Sequence, residues 1–103
     1  MLYMNTKDKV MYVYIATNRA KTSFYIGVTS NLAKRIWQHK HKYFKGSFSE
    51  RYNTDILVYY ETFSDTTSAF GREDKLKHYR PEWKIELISK YNPTWRDLYE
   101  DIR

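Results

Sequence analysis

The sequence lacks cysteine, and it also lacks any long hydrophobic segment. Without cysteine there is no disulfide, no cysteine-ligated zinc and no thiol nucleophile. No apolar run approaches the roughly 18 residues that a membrane-spanning helix requires, and residues 1–9 hold no apolar core of signal-peptide length. We therefore expect neither export nor membrane insertion, and a cytoplasmic location.

Aromatic residues and positive charge are abundant instead. Aromatic side chains make up 18% of the chain, and 18 Lys and Arg residues against 12 Asp and Glu residues give a net charge of +6. A small basic domain favours a polyanionic partner, and nucleic acid comes first among these. The plain alternative is a surface that carries extra lysine only for solubility. With 103 residues the chain is expected to form one domain over 1–103, with a frayed segment at 1–9.

The first half of the chain predicts two strands and a helix. The segments 10–17 and 24–29 are rich in β-branched and aromatic residues, and the short loop at 18–23 favours an antiparallel pair. Ser30 or Asn31 can cap a helix that is expected to run to Tyr43. Its core-facing stripe is predicted to contain Leu32, Ile36, His39 and Tyr43, with Arg35 at the edge.

The second half predicts one more strand and several helices. We expect a loop over 44–53, a strand over 55–62, and a helix capped by Ser64 or Asp65 that runs to 79. Pro81 suits the first turn of a helix over 82–91, and Thr94 can cap a last helix over 95–102. The predicted fold class is α+β, with a small three-stranded antiparallel sheet flanked by helices.

Glu73 is a charged residue at a predicted core-facing position of the helix that follows Asp65. It shares the predicted inner face with Ala69 and Leu76, where a carboxylate is costly unless it is paired or binds a metal. An ion pair with Arg35 or Arg72 is the more common outcome of such a pattern. The alternative is a single carboxylate ligand for Mg²⁺ or Mn²⁺, which prefer oxygen and keep several waters. Gly71 in the same helix suggests a close approach of another backbone.

A set of short segments stands in a particular order and spacing: Tyr12-Val13-Tyr14, Tyr25-Ile26-Gly27, Arg35 and His39, Ala69 with Arg72-Glu73, Trp83-Lys84, Leu87-Ile88, and Asn92-Pro93-Thr94-Trp95-Arg96-Asp97-Leu98. Taken together, these segments resemble the GIY-YIG nuclease superfamily, and above all its small, single-domain bacterial branch. Each motif is weak alone, but their order and spacing are specific, and they cover nearly the whole chain. The first motif has Tyr12 where the family name has glycine, and Val28 stands where several members carry a lysine.

The resemblance implies hydrolysis of a DNA phosphodiester with one divalent ion, Mg²⁺ or Mn²⁺. By position, it assigns the catalytic residues and makes Glu73 the metal ligand. Gly27 would let backbone and phosphate approach closely, and Asn92 would support the site. The family's catalytic positions are matched here by Tyr14, Tyr25, Arg35, His39 and Glu73.

The residue types suit this chemistry. A tyrosine near a cation can act as general base, and Tyr14 is favoured, with His39 or Tyr25 as rival or helper. Arg35 would stabilise the extra negative charge on the phosphoryl oxygens. Because Val28 replaces that lysine, the site has one cation fewer, which affects the expected rate of catalysis more than the fold.

Several lysines lie next to the predicted site along the chain. Lysines of this kind are usually only solvated, but here they are expected to hold a DNA backbone without reading sequence, through Lys34, Lys40, Lys42 and Lys45. The favoured function is a DNA endonuclease acting at a branch, nick or flap, related to repair or recombination. The alternatives are a DNA- or RNA-binding module with little or no cleavage, and an adaptor that needs a protein partner.

Overall fold

The computed structural model describes residues 10–103, so the expectation for 1–9 lies outside the described part. No helix within these residues has the length and apolar content to cross a bilayer. In chain order, the described elements are β1 (Met11–Thr17), β2 (Phe24–Thr29), α1 (Leu32–Lys40), α2 (Phe48–Tyr52), β3 (Ile56–Phe63), α3 (Thr66–Lys77), α4 (Pro81–Tyr91) and α5 (Tyr99–Ile102).

The three strands form one antiparallel sheet with β1 in the centre, in the order β2-β1-β3. This confirms the predicted fold class and the antiparallel pairing of the first two strands. In the register of the sheet, Tyr14 lies opposite Gly27 on one side and opposite Tyr60 on the other. The central strand therefore places Tyr14 in the middle of the sheet.

Helices cover both faces of the sheet, because successive side chains of β1 point to opposite sides. Val13 and Ile15 pack with Ala69 and Leu76 of α3 and with Ile88 of α4. On the other face, the buried cluster holds Tyr14, Ala16, Leu32, Ile36 and Leu57, which brings α1 over Tyr14.

The helix starts follow the predicted caps. The side-chain oxygen of Asn31 accepts a hydrogen bond from the Lys34 N–H at 3.1 Å, and that of Asp65 accepts one from Ser68 at 2.7 Å. Pro81 occupies the first turn of α4, where its missing N–H costs nothing. These local signals place α1, α3 and α4 correctly.

Helix α1 ends three residues earlier than predicted. Lys42 adopts a φ of +53°, which helical backbone does not permit, and the His41 N–H closes the last turn on the carbonyl of Trp37. Tyr43 is therefore exposed and does not belong to the buried stripe, which consists of Leu32, Ile36 and His39.

Two further expectations are wrong. The segment 44–53 contains helix α2, because Ser47 accepts a hydrogen bond from the Glu50 N–H at 3.2 Å and Glu50 accepts one from the Gly46 N–H. The last helix begins at Tyr99, since Trp95 has a φ of +56° that excludes it from a helix.

Candidate active site

A buried pair, Tyr14 on β1 and His39 on α1, forms the centre of the site. The Tyr14 hydroxyl lies 2.9 Å from Nε2 of His39, and Tyr14 has no exposed surface. The pair forms because α1 packs on the sheet face that carries Tyr14, and His39 lies on the buried stripe of that helix. Two groups 25 positions apart thus share one hydrogen bond.

Tyr25 is the outer member of the same cluster. Its ring centroid lies 6.0 Å from that of Tyr14 and 5.0 Å from that of His39. Tyr25 is half-buried, so its ring extends the buried cluster toward solvent. Gly27, two residues further along β2, is the residue that faces Tyr14 across the strands.

Burial keeps both groups of the central pair neutral. Burial, reinforced by the neighbouring Tyr25, raises the pKa of Tyr14 far above its usual value, although Arg35 opposes the shift. Burial and repulsion from the Arg35 guanidinium lower the pKa of His39 to about 4, against the attraction of Asp55. Near pH 7 the pair therefore consists of a neutral phenol and a neutral imidazole.

The neutral pair has one favoured proton arrangement. A neutral phenol donates its proton, so we assign the hydrogen bond from Tyr14 to Nε2, which leaves the imidazole proton on Nδ1. Nδ1 of His39 is buried and has no hydrogen-bond partner within residues 10–103. His39 can accordingly accept a proton from Tyr14 and no other described group competes for its second nitrogen.

Glu73 lies on α3, the helix that covers the opposite face of the sheet. Its side chain is only 18% exposed, and one carboxylate oxygen lies 3.3 Å from Nζ of Lys77. The ion pair with Arg72 that the pattern suggested is not formed, because Arg72 donates three hydrogen bonds to the carboxylate of Glu61, two from Nε and one from Nη2. Glu73 is therefore a largely buried carboxylate whose described partner is a lysine one turn along the helix.

A cavity of about 300 Å³ at the edge of β2 is lined by side chains from both faces of the sheet. Tyr25 lines it from the cluster side, and Lys77 of α3 and Lys84 of α4 line it from the other side. Since Glu73 pairs with Lys77, the carboxylate lies one side chain away from the cavity that Tyr25 borders.

A single divalent ion is compatible with this arrangement. Within residues 10–103 there is no group of three or more His, Asp or Glu residues that would cage a metal. Mg²⁺ and Mn²⁺ bind through one carboxylate when waters and substrate phosphate complete the shell. Glu73 is low in exposure, and its partner among the described residues is a half-exposed lysine, so it fits that role as one ligand.

The four lysines singled out in the sequence have different surroundings. Nζ of Lys40 donates to the carbonyl of Asp55 at 2.8 Å and to the carboxylate of Asp97. Lys42 lies 3.6 Å from the carboxylate of Asp55. In contrast, Lys34 is exposed, and the side chain of Lys45 is 83% exposed although it lies 3.7 Å from Glu50.

Asn92 is buried, but its contacts lie at the other edge of the sheet. Its Nδ2 donates to the carbonyl oxygens of Val58 on β3 and Arg96 beyond α4, both at 3.0 Å. The amide thus ties the C-terminal segment to β3, whereas Tyr25 and its cavity lie on β2.

Sequence reasoning missed four side chains that adjoin the cluster. Two of them, Phe48 and Tyr52, belong to α2, and a signal for that helix was present in the chain. Ser47 followed three residues later by Glu50 is the pattern of a capping box. The other two are Lys77 and Lys84, whose positions depend on how α3 and α4 pack and have no local signature.

Comparisons with known proteins identify a matching family and several relatives of the chain. The model of a family described as the GIY-YIG catalytic domain matches residues 10–92. The chain is 30% identical over 94 residues to a UPF0213 protein of Desulfotalea psychrophila, covering 91% of this chain and 84% of that protein. It is 32% identical over 80 residues to a UPF0213 protein of Staphylococcus haemolyticus, covering 77% and 94%. A UPF0213 protein of Clostridium perfringens is 37% identical over 82 residues, covering 76% and 82%. No solved structure matches the chain significantly.

Proposed function

The chain belongs to the GIY-YIG family, whose catalytic domain is of the nuclease type, and we propose that it is a metal-dependent endonuclease that cleaves DNA. We further propose that it acts at structural features such as branches, nicks or flaps, in the setting of repair or recombination. The absence of cysteine suits a reducing, cytoplasmic environment.

The hydrogen bond between Tyr14 and His39 is the observation that carries this proposal. The attacking water must lose a proton as it bonds to phosphorus. In our proposal the Tyr14 oxygen takes that proton while its own proton passes to Nε2 of His39, 2.9 Å away. A coupled transfer is favoured over a free phenolate, because burial raises the pKa of Tyr14.

Bound substrate would make His39 a better acceptor. The Arg35 charge helps to depress the pKa of His39 in the free protein. A phosphate bound at Arg35 would offset that charge, and the pKa of His39 would rise when the proton has to move. Arg35 itself would donate to the phosphoryl oxygens, where charge accumulates in the transition state.

Glu73 would hold the divalent ion, which when bound supplies Lewis-acid stabilisation of the departing 3′ oxygen. For this the Glu73 carboxylate has to exchange its present partner, the Lys77 ammonium. Lys77 lines the cavity beside Tyr25, so we propose that the released ammonium contacts a phosphate of the same DNA strand.

A binding module without cleavage is the second candidate, and one observation favours it. Tyr14 has no exposed surface, so attack through its hydroxyl requires the cluster to open. If DNA binding does not open it, the same basic domain would bind DNA without hydrolysing it.

The deciding experiment is cleavage of labelled linear, nicked, flapped and branched DNA with Mg²⁺ and then with Mn²⁺. Wild type is compared with Glu73→Gln and with the matched control Asp74→Asn, which changes an exposed acid on the same helix. Cutting by wild type and Asp74→Asn, with binding but no cutting by Glu73→Gln, supports the nuclease. Tight, salt-sensitive binding with no cutting by any of the three proteins supports the binding module.

A further inference from the structure

Helix α2 exposes its aromatic residues and buries a serine. Ser49 is the buried residue of the helix, and its hydroxyl accepts a hydrogen bond at 3.0 Å from the hydroxyl of Thr54. Phe48 and Tyr52 are 44% and 43% exposed. The helix is thus anchored by a polar contact and presents two rings to solvent, where they contribute little to the core.

These rings continue the buried cluster outward to the surface. The centroid of Tyr25 lies 6.1 Å from that of Phe48, and Phe48 lies 4.6 Å from Tyr52. At its inner end, Tyr25 contacts the ring of His39 at 5.0 Å. We call Tyr25, Phe48 and Tyr52 the aromatic row. It leads from the proposed catalytic pair to solvent.

Positive side chains flank the aromatic row. Lys77 and Lys84 line the same cavity of about 300 Å³ as Tyr25 and Phe48. Arg51, between the two aromatic residues of α2 in the chain, is exposed, as is Lys45. A single exposed ring needs no explanation, but contiguous rings between cations form the surface that proteins use for unpaired nucleic-acid strands.

We propose that the aromatic row stacks with unpaired bases of a DNA strand, while Lys77 and Lys84 contact its backbone. This deepens the proposed nuclease function and rests on it, because it names the substrate as single-stranded or locally unpaired DNA next to the scissile phosphate. Every base has a face that can stack on an aromatic ring, so the row needs no particular sequence. Bases within a duplex are already stacked on each other and do not reach the row. The net charge of +6 favours this polyanionic occupant over an apolar protein surface.

The test is DNA binding in the presence of a chelator, so that cleavage does not enter the readout. A fluorescent single strand and a duplex of the same length are titrated with wild type and with Phe48→Ala/Tyr52→Ala. The matched control is Phe70→Ala, which removes a phenylalanine of similar exposure, 52%, from α3. We expect the double variant to bind the single strand about 5- to 100-fold more weakly with little change for the duplex, and Phe70→Ala to bind like wild type.

A second variant separates stacking from loss of structure. Phe48→Trp keeps a flat aromatic face and is expected to retain single-strand affinity and to show more quenching of tryptophan fluorescence on binding than wild type, which has three tryptophans of its own. Equal loss of single-strand and duplex affinity in the double variant, with an unchanged circular dichroism spectrum, would overturn the proposal. So would a double variant that binds like wild type but no longer self-associates, since the row would then be an interface between copies.

The outcomes for the two proposals differ. If no DNA is cut with any metal but the preference for single strands depends on the row, the nuclease proposal fails, and the row remains a binding surface for unpaired strands with no scissile phosphate beside it. If DNA is cut and the row variants bind and cut like wild type, this inference alone fails.

Discussion

Gly27 and Tyr14 face each other across β2 and β1, and a Cβ on Gly27 would lie 2.5 Å from the hydroxyl oxygen of Tyr14. The same added carbon would lie 2.6 Å from the ring carbon that bears the hydroxyl. Gly27 has no positive φ, so glycine is needed here for space and not for backbone conformation. Because Gly27 on β2 has no side chain, the phenol of Tyr14 on β1 has the space to reach His39.

Gly27→Ala should therefore displace the Tyr14 ring. We expect a loss of about 1–3 kcal/mol in the free energy of unfolding, as for other overpacked sites, together with loss of cleavage. The matched control is Gly71→Ala on α3, where an added Cβ meets nothing within 4 Å. The expected close backbone approach at Gly71 is wrong, and this control should gain up to about 1 kcal/mol. Chemical denaturation measures both, and equal effects at the two positions would contradict the steric explanation.

Tyr14→Phe should abolish rapid cleavage while the protein stays folded. Loss of the hydroxyl removes the proposed proton carrier, and we expect the turnover rate to fall about 10²–10⁴-fold with little change in DNA affinity. The control is Tyr12→Phe, on the same face of β1, which should cut normally. A larger effect for Tyr25→Phe than for Tyr14→Phe would make Tyr25 the base.

Protonation of His39 should make the protein less stable in mild acid. Its pKa is about 4 in the folded protein, against 6.5 for an unperturbed histidine, so the unfolded chain binds the proton more readily. The contribution of His39 to the free energy of unfolding is therefore complete above pH 6.5. It decreases by about 3 kcal/mol as the pH falls toward 4. Urea unfolding at several pH values measures the slope. His39→Gln should remove this part of it, and an unchanged slope in that variant would assign the acid sensitivity to other groups.

The lysines near the site should divide into two groups. Lys40 bonds to Asp97 and to the Asp55 carbonyl, so Lys40→Gln should lower stability by about 1–3 kcal/mol. Lys45→Gln, at an exposed side chain, should leave stability unchanged and make DNA affinity less dependent on salt, with the slope of log K against log salt falling by about 0.7–0.9. Salt titrations of binding, paired with denaturation curves, test both statements. A Lys40→Gln variant of normal stability and reduced salt slope would place Lys40 at the DNA after all.

Asn92 should prove to be structural. Asn92→Ala removes two hydrogen bonds, to the carbonyls of Val58 and Arg96, and we expect a loss of about 1–3 kcal/mol in stability. At a temperature where the variant is fully folded, its turnover rate should match that of wild type. A selective fall in turnover with unchanged stability would instead support a role for Asn92 in the site.

Much of the fold was predictable because its signals are local. Alternating β-branched and aromatic residues predicted three strands, of which β2 (Phe24–Thr29) agrees at both ends. Asn31, Asp65 and Pro81 marked three helix starts correctly, since a cap acts on backbone groups within one turn. The resemblance assigns Tyr14, Tyr25 and His39 to one catalytic site, and the structure brings their three rings together.

Other features of the fold were not predicted from the sequence. The end of α1 before Tyr43 and the late start of α5 follow from positive φ angles at Lys42 and Trp95, which no periodicity reveals. The spacing of Ser47 and Glu50 predicts the start of α2. The sequence alone would place the aromatic residues of this helix in the core, whereas in the structure Ser49 is the buried residue and bonds to Thr54.

The amino-acid sequence by itself determined the strands, the main caps and the set of chemical groups, because these depend on neighbours within a few positions. Only the tertiary structure decided how those groups are used. Lys40 is tied to Asp97, 57 positions away, and Lys77 and Lys84 meet Tyr25 at one cavity. The physical reason is that pairing and burial depend on which segments meet in space. Helix α1 packs on the face of β1 that carries Tyr14. For this reason Tyr14 pairs with His39 and lies beside the ring of Tyr25.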